Sequence, residues 1–334
     1  PIADLSDSIE VGPGAMQRCG DSSLFTVLVQ TEDVSGSEHS ILRLIEGEDS
    51  ELSWQVDLGE TEKIKAAPVI VDIDEDGKPE ILVAYDAGGS LNVDAWSPRL
   101  SCTVTGWSYS GHSEELLWSW NDDSLMISSD EGPYTSGILG GHKPTTQPLL
   151  ADIDLDGDAE LVIAAIDEVS EDPVVLALPL QVNGTPNSLW EVTLSKGSHP
   201  SDPAFAQVDD DTGYVILTTI EANNGAMWVW KIDSETGSSA WQGGLSLNNL
   251  DGDTNSPHIR LPGPIVANLD SDEDPEIIIT IPSDADGSTA VDGAEFRGLE
   301  ISDGSQLWEF EASNGFADAP PTAIDSDGDG SHDR

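Results

Sequence analysis

Residues 68–80 read Pro-Val-Ile-Val-Asp-Ile-Asp-Glu-Asp-Gly-Lys-Pro-Glu, and residues 148–160 read Pro-Leu-Leu-Ala-Asp-Ile-Asp-Leu-Asp-Gly-Asp-Ala-Glu. In both, a proline and three apolar residues run into carboxylates at alternate positions. Each then ends on an acid that opens a β-rich run, Glu80-Ile-Leu-Val-Ala-Tyr or Glu160-Leu-Val-Ile-Ala-Ala. The pattern returns at 264–276 as Pro-Ile-Val-Ala-Asn-Leu-Asp-Ser-Asp-Glu-Asp-Pro-Glu and at 321–333 as Pro-Thr-Ala-Ile-Asp-Ser-Asp-Gly-Asp-Gly-Ser-His-Asp. A weaker copy, Pro-Ala-Phe-Ala-Gln-Val-Asp-Asp-Asp-Thr-Gly, fills 203–213.

Oxygen donors at loop positions 1, 3, 5 and 9, with a small residue near 6 for the turn, suit a hard cation that takes six to eight oxygens, calcium before magnesium. Including position 7, the candidate ligand sets are Asp72, Asp74, Asp76, Lys78 and Glu80; Asp152, Asp154, Asp156, Asp158 and Glu160; Asn268, Asp270, Asp272, Asp274 and Glu276; and Asp325, Asp327, Asp329, Ser331 and Asp333. The copy at Gln207 has Val215 at position 9 and departs from the pattern. These loops are not EF-hands, which need a bidentate glutamate at position 12 and a helix on each side. Position 12 here is Val83 or Ile163, inside short β-branched runs that read as buried strands. Each loop is therefore a strand-to-strand connection, and a bound ion would staple a hairpin.

The copies begin at Asp72, Asp152, Gln207, Asn268 and Asp325, at intervals of 80, 55, 61 and 57 residues. A period of this size signals a repeat fold, and about four strand-like runs per interval is the content of one propeller blade. In the second full unit these runs are 148–151, 160–165, 173–178 and 189–194. The chain thus reads as all-β, a β-propeller of four-stranded blades, with about five to six blades present, as a whole or as part of a seven- or eight-bladed ring. One propeller domain spans 1–334, in units of 1–66, 67–146, 147–201, 202–262 and 263–318 and a partial unit at 319–334. Trp54, Trp190 and Trp308 stand 18, 17 and 17 residues before the next loop, with Trp118, Trp120 and Trp241 as looser equivalents. Core packing between blades is the expected role of these rings, since aromatics mainly supply buried area.

The Asp-x-Asp-x-Asp-Gly-x-x-Asp/Glu loop followed by an apolar strand resembles the FG-GAP or VCBS type calcium repeat of integrin-α-like β-propellers. The Leu-Trp strands are similar to quinoprotein-like propeller repeats. The resemblance covers nearly all of 60–334. It implies several structural calcium ions, each in a loop that joins the innermost strand of a blade to the next strand, on the face opposite the usual ligand-binding loops. It also implies an adhesion or ligand-binding module, with a protein or glycan partner.

The acid excess, 64 Asp and Glu against 12 Lys and Arg for a formal charge of −52, is larger than the loops account for and must coat the surface. Such a surface repels nucleic acid and anionic membranes and suits a high-salt or marine milieu. No run of eighteen apolar residues is present, so no membrane insertion is expected. Calcium outside cells is high enough to fill loops of millimolar affinity, which places the protein outside the cell or on its surface. Cys19 and Cys102 allow one disulfide or two buried thiols. The start at Pro1 and the stop at Arg334, where a loop should lead into a strand, read as a fragment or a trimmed chain.

Catalytic signatures are absent. Histidines stand at 39, 112, 142, 199, 258 and 332 with no metal-binding spacing, and there is no Gly-x-Ser-x-Gly elbow or phosphate-binding glycine loop. His142, His199 and His258 precede loops, on connections open to a metal or substrate site, and read first as solvated turn residues. The main expectation is a calcium-stabilised binding or structural module. The alternative is a secreted polysaccharide-active enzyme of lyase type, or a quinoprotein-like dehydrogenase. The stretch from Ala87 to Gly141, with Cys102, Trp107, Tyr109 and Tyr134 among serines and glycines, reads as a long insertion, either padding or a binding loop. Asp284 to Asp292 offers one further acidic turn off the main spacing.

Overall fold

The computed structural model describes residues 8–19, 23–46, 52–60, 66–98, 100–103, 106–109, 115–127, 146–181, 184–221, 226–247, 261–269, 274–283 and 293–313. Every regular element among them is a β-strand. The first sheet holds β1 (Ser8–Cys19), β2 (Ser23–Val34), β3 (Ser37–Glu46) and β4 (Leu52–Asp57) in that order. The second holds β5 (Val69–Val71), β6 (Glu80–Ala87) and β7 (Ser90–Ser97). A two-stranded ribbon of β8 (Leu100–Thr103) and β9 (Gly106–Tyr109) precedes its fourth strand, β10 (Glu115–Asp122). After the short β11 (Leu125–Met126), the third sheet contains β12 (Leu149–Ala151), β13 (Glu160–Asp167), β14 (Pro173–Pro179) and β15 (Trp190–Thr193). The fourth contains β16 (His199–Pro200), β17 (Ala204–Asp209), β18 (Thr212–Ile220), β19 (Met227–Asp233) and β20 (Leu245–Leu247). The fifth is β21 (Ile265–Ala267), β22 (Glu276–Ser283), β23 (Gly293–Glu300) and β24 (Gln306–Ser313).

The expected fold class is the one observed: all-β, built of antiparallel blades of propeller type, four-stranded in the first, second and fifth sheets, with the position beside β18 in the fourth shared by β16 and β17. The four runs expected in the third sheet are its β12 to β15. The stretch after Ala87 is not one long insertion, because β7 and β10 within it continue the second sheet beyond β6, pairing Leu82 with Ala95 and Ser119 with Asp94. Among the described residues, the small β8–β9 ribbon lies between them. The first sheet also has a strand that the sequence did not announce. β1 carries Gly12-Pro13-Gly14, and its pairing with β2 slips between Val11 and Gly14, as a proline-bearing edge strand with a bulge would.

The strands that follow the acidic loops are buried along almost their whole length, β6 and β13 alike. Their β-branched and aliphatic residues fill the space between sheets. One cluster joins Phe25, Val27, Leu42, Leu44 and Trp54 of the first sheet to Ile81, Val83 and Tyr85 of the second. Another joins Val162, Ala164, Val175 and Trp190 to Val215, Leu217 and Trp230, and a third joins Ile216, Ile220 and Val229 to Ile277, Ile279 and Leu299. Each fully buried side chain of this kind contributes about 1.5–3 kcal/mol. Trp54, Trp118 and Trp190 are core, as expected, whereas Trp120, Trp241 and Trp308 are half-buried. Trp190 is 7% exposed in the joint between the third and fourth sheets, and Trp54 packs edge-on against Trp96 with ring centroids 6.4 Å apart.

The chain divides into two compact units, 1–127 with 179–187, and 128–178 with 188–334. Within the first, 179–187 is tied to β10 by Trp118 Nε1 donating to Gln181 O at 2.6 Å and Thr185 Oγ1 donating to Ser119 O at 3.0 Å. No helix among the described residues is long and apolar enough to cross a membrane. Residues 1–7, the partial unit at 319–334, His142, His258, Tyr134, the Asp284–Asp292 turn and the side chains of Cys19, Cys102, Trp107 and Tyr109 lie outside what is described.

Candidate metal centre

Val71 pairs with Glu80, and Ala151 with Glu160, so each acidic loop closes an antiparallel hairpin directly. The last ligand position is thereby the first residue of a buried strand. Glu80 is 4% and Glu160 3% exposed. Each glutamate reaches back across its loop, Oε2 accepting from Ile73 N at 3.0 Å and from Ile153 N at 2.9 Å. The turn is made by two left-handed residues in each copy, Glu75 (φ 55) and Gly77 (φ 82), and Leu155 (φ 60) and Gly157 (φ 101). The reversal folds the first aspartate over the turn. Asp72 Oδ2 accepts from Gly77 N at 2.8 Å, and Asp152 Oδ2 from Gly157 N at 3.0 Å.

This backbone draws three carboxylates together in each loop. Asp72, Asp74 and Glu80 each place an oxygen within 4.8 Å of the others, and so do Asp152, Asp154 and Glu160. Crowding and burial show in their electrostatics. Burial pushes Glu80 and Glu160 up to about 7, opposed by the Ile73 and Ile153 amides and reinforced by the charges of the neighbouring aspartates. Asp154 is raised by burial and by the charge of Asp156.

The donor set fits a hard cation: all oxygens, mixed in reach, around one point. In the second loop Asp152 Oδ1 is also buried and accepts no hydrogen bond among the described residues. A bound divalent ion would supply positive charge that neutralises the trio and locks the hairpin.

The remaining predicted positions differ. Asp76 does not join the trio; it binds Lys78 through a side-chain ion pair and accepts from Lys78 N at 2.8 Å. Lys78 thus ties its ammonium to the loop through Asp76. Asp156 accepts from Asp158 N at 2.9 Å, and Asp158 is exposed on the rim. In the third copy Glu276 repeats the same reach, Oε2 accepting from Leu269 N at 2.5 Å, with Asn268 half-buried and Asp274 exposed. Asp270, Asp272 and the whole set Asp325, Asp327, Asp329, Ser331 and Asp333 fall outside the described residues.

The weak copy at Gln207 does not repeat the acidic hairpin. β17 runs on through Gln207 to Asp209, which pairs with Thr212 in a tight hairpin, and Asp209 spends its carboxylate on Asp211 N at 2.9 Å. His199 is not a solvated turn residue either. It is 1% exposed in β16, paired with Ile220, and Ser198 Oγ lies 3.0 Å from its Nδ1.

One residue of this centre escaped the sequence reading altogether. Ser234, just past β19 in the fourth sheet, donates from Oγ to Ile153 O at 2.5 Å. No local motif marks it, since the contact spans 81 residues.

No family model matches the chain, and no curated protein does. Solved structures do. It is similar to an α-L-arabinanase of Penicillium chrysogenum complexed with arabinobiose, at 10% identity and a TM-score of 0.45 over 98% of this chain and 88% of that one. It is similar to the GH93 α-L-arabinofuranosidase of Fusarium graminearum, at 8% identity and a TM-score of 0.44 over 97% and 88%. The subtype N10 neuraminidase-like protein of A/little yellow-shouldered bat follows at 10% identity and a TM-score of 0.42 over 94% and 85%. At scores of this size the likeness lends the chain no activity, and the fold rests on its own sheet topology.

Proposed function

We propose that the chain is a calcium-stabilised β-propeller module of FG-GAP or VCBS type that works outside the cell and offers its loops to a protein or glycan partner. The observation that supports this reading is the repeated carboxylate trio, built twice by the same hairpin with the same buried glutamate. Two structurally equivalent sites that crowd negative charge where one cation would relieve it are costly without that cation. The acidic surface keeps polyanions away and favours an exported, salt-rich setting. A calcium-linked melting experiment tests the metal. A ligand that binds only the folded form raises stability by about 2.7 kcal/mol per site at a hundred times its Kd, so the melting midpoint should rise with calcium and fall back with chelator. An unchanged midpoint would remove the calcium reading. Glycan and protein arrays test the partner, and turnover of a polysaccharide on the glycan array would replace the binding module with the alternative, a glycan-active enzyme.

A further inference from the structure

The joint between the second acidic loop and the fourth sheet is built around one serine. Ser234 Oγ donates to Ile153 O, and Ser234 O accepts from Trp190 Nε1 at 2.7 Å. Its own amide donates to Gly213 O at 3.1 Å. Gly213 leaves no room for a side chain there, since a Cβ would meet Ser234 Oγ at 2.7 Å. The serine is therefore clamped on three sides, twice by groups of the third sheet and once by its own.

Ile153 is the shared piece. Its side chain is wholly buried in the core between the two sheets, its carbonyl is held by Ser234, and its amide holds Glu160 Oε2. Fixing one end of a residue by packing and its carbonyl by a hydrogen bond leaves the adjoining backbone little freedom to turn. Glu160 is then presented to the loop centre in one orientation, beside the buried Asp152 Oδ1. Outer partners that orient a ligand-bearing group commonly tune metal affinity by an order of magnitude or more, because less ordering remains to be done on binding.

We propose that Ser234 is a positioning residue for the cation held by Asp152, Asp154 and Glu160, so that occupancy of this loop and docking of the fourth sheet reinforce each other. This rests on the calcium reading above. Reciprocity follows from linkage: whatever tightens the joint tightens the ion, and the ion tightens the joint by the same factor. Among the described residues no equivalent serine bond is present at Ile73 in the first loop, so the two loops should differ in their sensitivity to changes in the next sheet.

Calorimetric calcium titration of the whole chain tests this, with the double change Asp152→Asn and Asp154→Asn identifying the heat that belongs to the second loop. Ser234→Ala should weaken that phase by about three- to tenfold, the loss expected for one hydrogen bond, and leave the first loop's phase in place. Ser234→Thr, which keeps the hydroxyl, should restore most of it. If near-ultraviolet circular dichroism shows that Ser234→Ala has lost its fold, Trp190→Phe takes its place, removing the other bond to the serine, and a weaker second-loop phase is again expected. Calcium bound by the parent and by the serine or tryptophan variant with equal affinity would overturn the positioning role and leave the calcium reading intact. No calcium bound by the parent would overturn both.

Discussion

Buried at 1% exposure in the fourth sheet, His199 is held neutral, and burial pushes its pKa down from 6.5 to about 4. The folded state thus refuses a proton that the unfolded chain accepts. Above about pH 6.5 neither form is charged and the group has no effect on stability. Between pH 6.5 and 4 the unfolded chain binds more protons, so stability falls as pH falls, by about 3 kcal/mol once the window is crossed. Carboxylates titrate over the same range, so the difference between parent and His199→Asn isolates the histidine. Urea denaturation across pH 7 to 4 should give a flatter profile for the variant, and parallel profiles would show that the ring is solvated after all. The buried Lys231 illustrates the opposite management of a charge. Its ammonium donates to Ile301 O at 2.7 Å and sits 3.9 Å above the centre of the Tyr214 ring, which offsets part of its desolvation.

At the level of the element, the proposed calcium site depends first on the turn of its acidic hairpin. Gly77 and Gly157 hold φ of 82 and 101 with nothing within 4 Å of a would-be Cβ, so a side chain there meets backbone strain and no clash. Gly157→Ala should therefore cost about 1–2 kcal/mol, in calcium and in chelator alike. Glu160→Gln should behave differently, narrowing the gap between the two conditions because it removes a proposed ligand. Melting both variants with and without calcium separates the roles, and a Gly157→Ala penalty seen only in calcium would mean the turn forms around the metal. This hairpin was legible because its signals are local: alternate carboxylates, a glycine, and a β-branched run beginning at the acid. The four strands of the third sheet were legible for the same reason. β7 and β10 were not, since Ser90, Asn92 and Asp94 in β7 and serines around β10 give the stretch the look of a loop. Yet Leu91, Val93 and Ala95 alternate inward and are fully buried, a period of two that composition concealed. Asp209-Asp210-Asp211, set apart in the sequence because Val215 stands at position 9, closes a tight turn, which three adjacent acids satisfy as readily as an ion. Ser234 and the burial of His199 depend on partners distant in sequence, which no spacing rule encodes.

For the whole molecule, 64 acids against 12 bases must repel one another over a folded surface. Unfolding spreads those charges apart, so self-repulsion opposes the compact state, and salt that screens it should stabilise the fold. The Debye length falls from about 10 Å at 0.1 M to about 3 Å at 1 M, which is enough to silence all but adjacent carboxylates. In chelator, the melting midpoint should climb as sodium chloride is raised over this range and then level off. Calcium at matched ionic strength should add a further increment, because screening acts on the surface at large whereas the loop trios need an ion seated among them. The increment should shrink when both Glu80→Gln and Glu160→Gln are present, while the sodium chloride slope stays. A midpoint insensitive to sodium chloride would mean that the surface acids are spaced beyond effective repulsion. In that case the charge excess would be a matter of solubility, and the salt-rich setting would lose its physical argument.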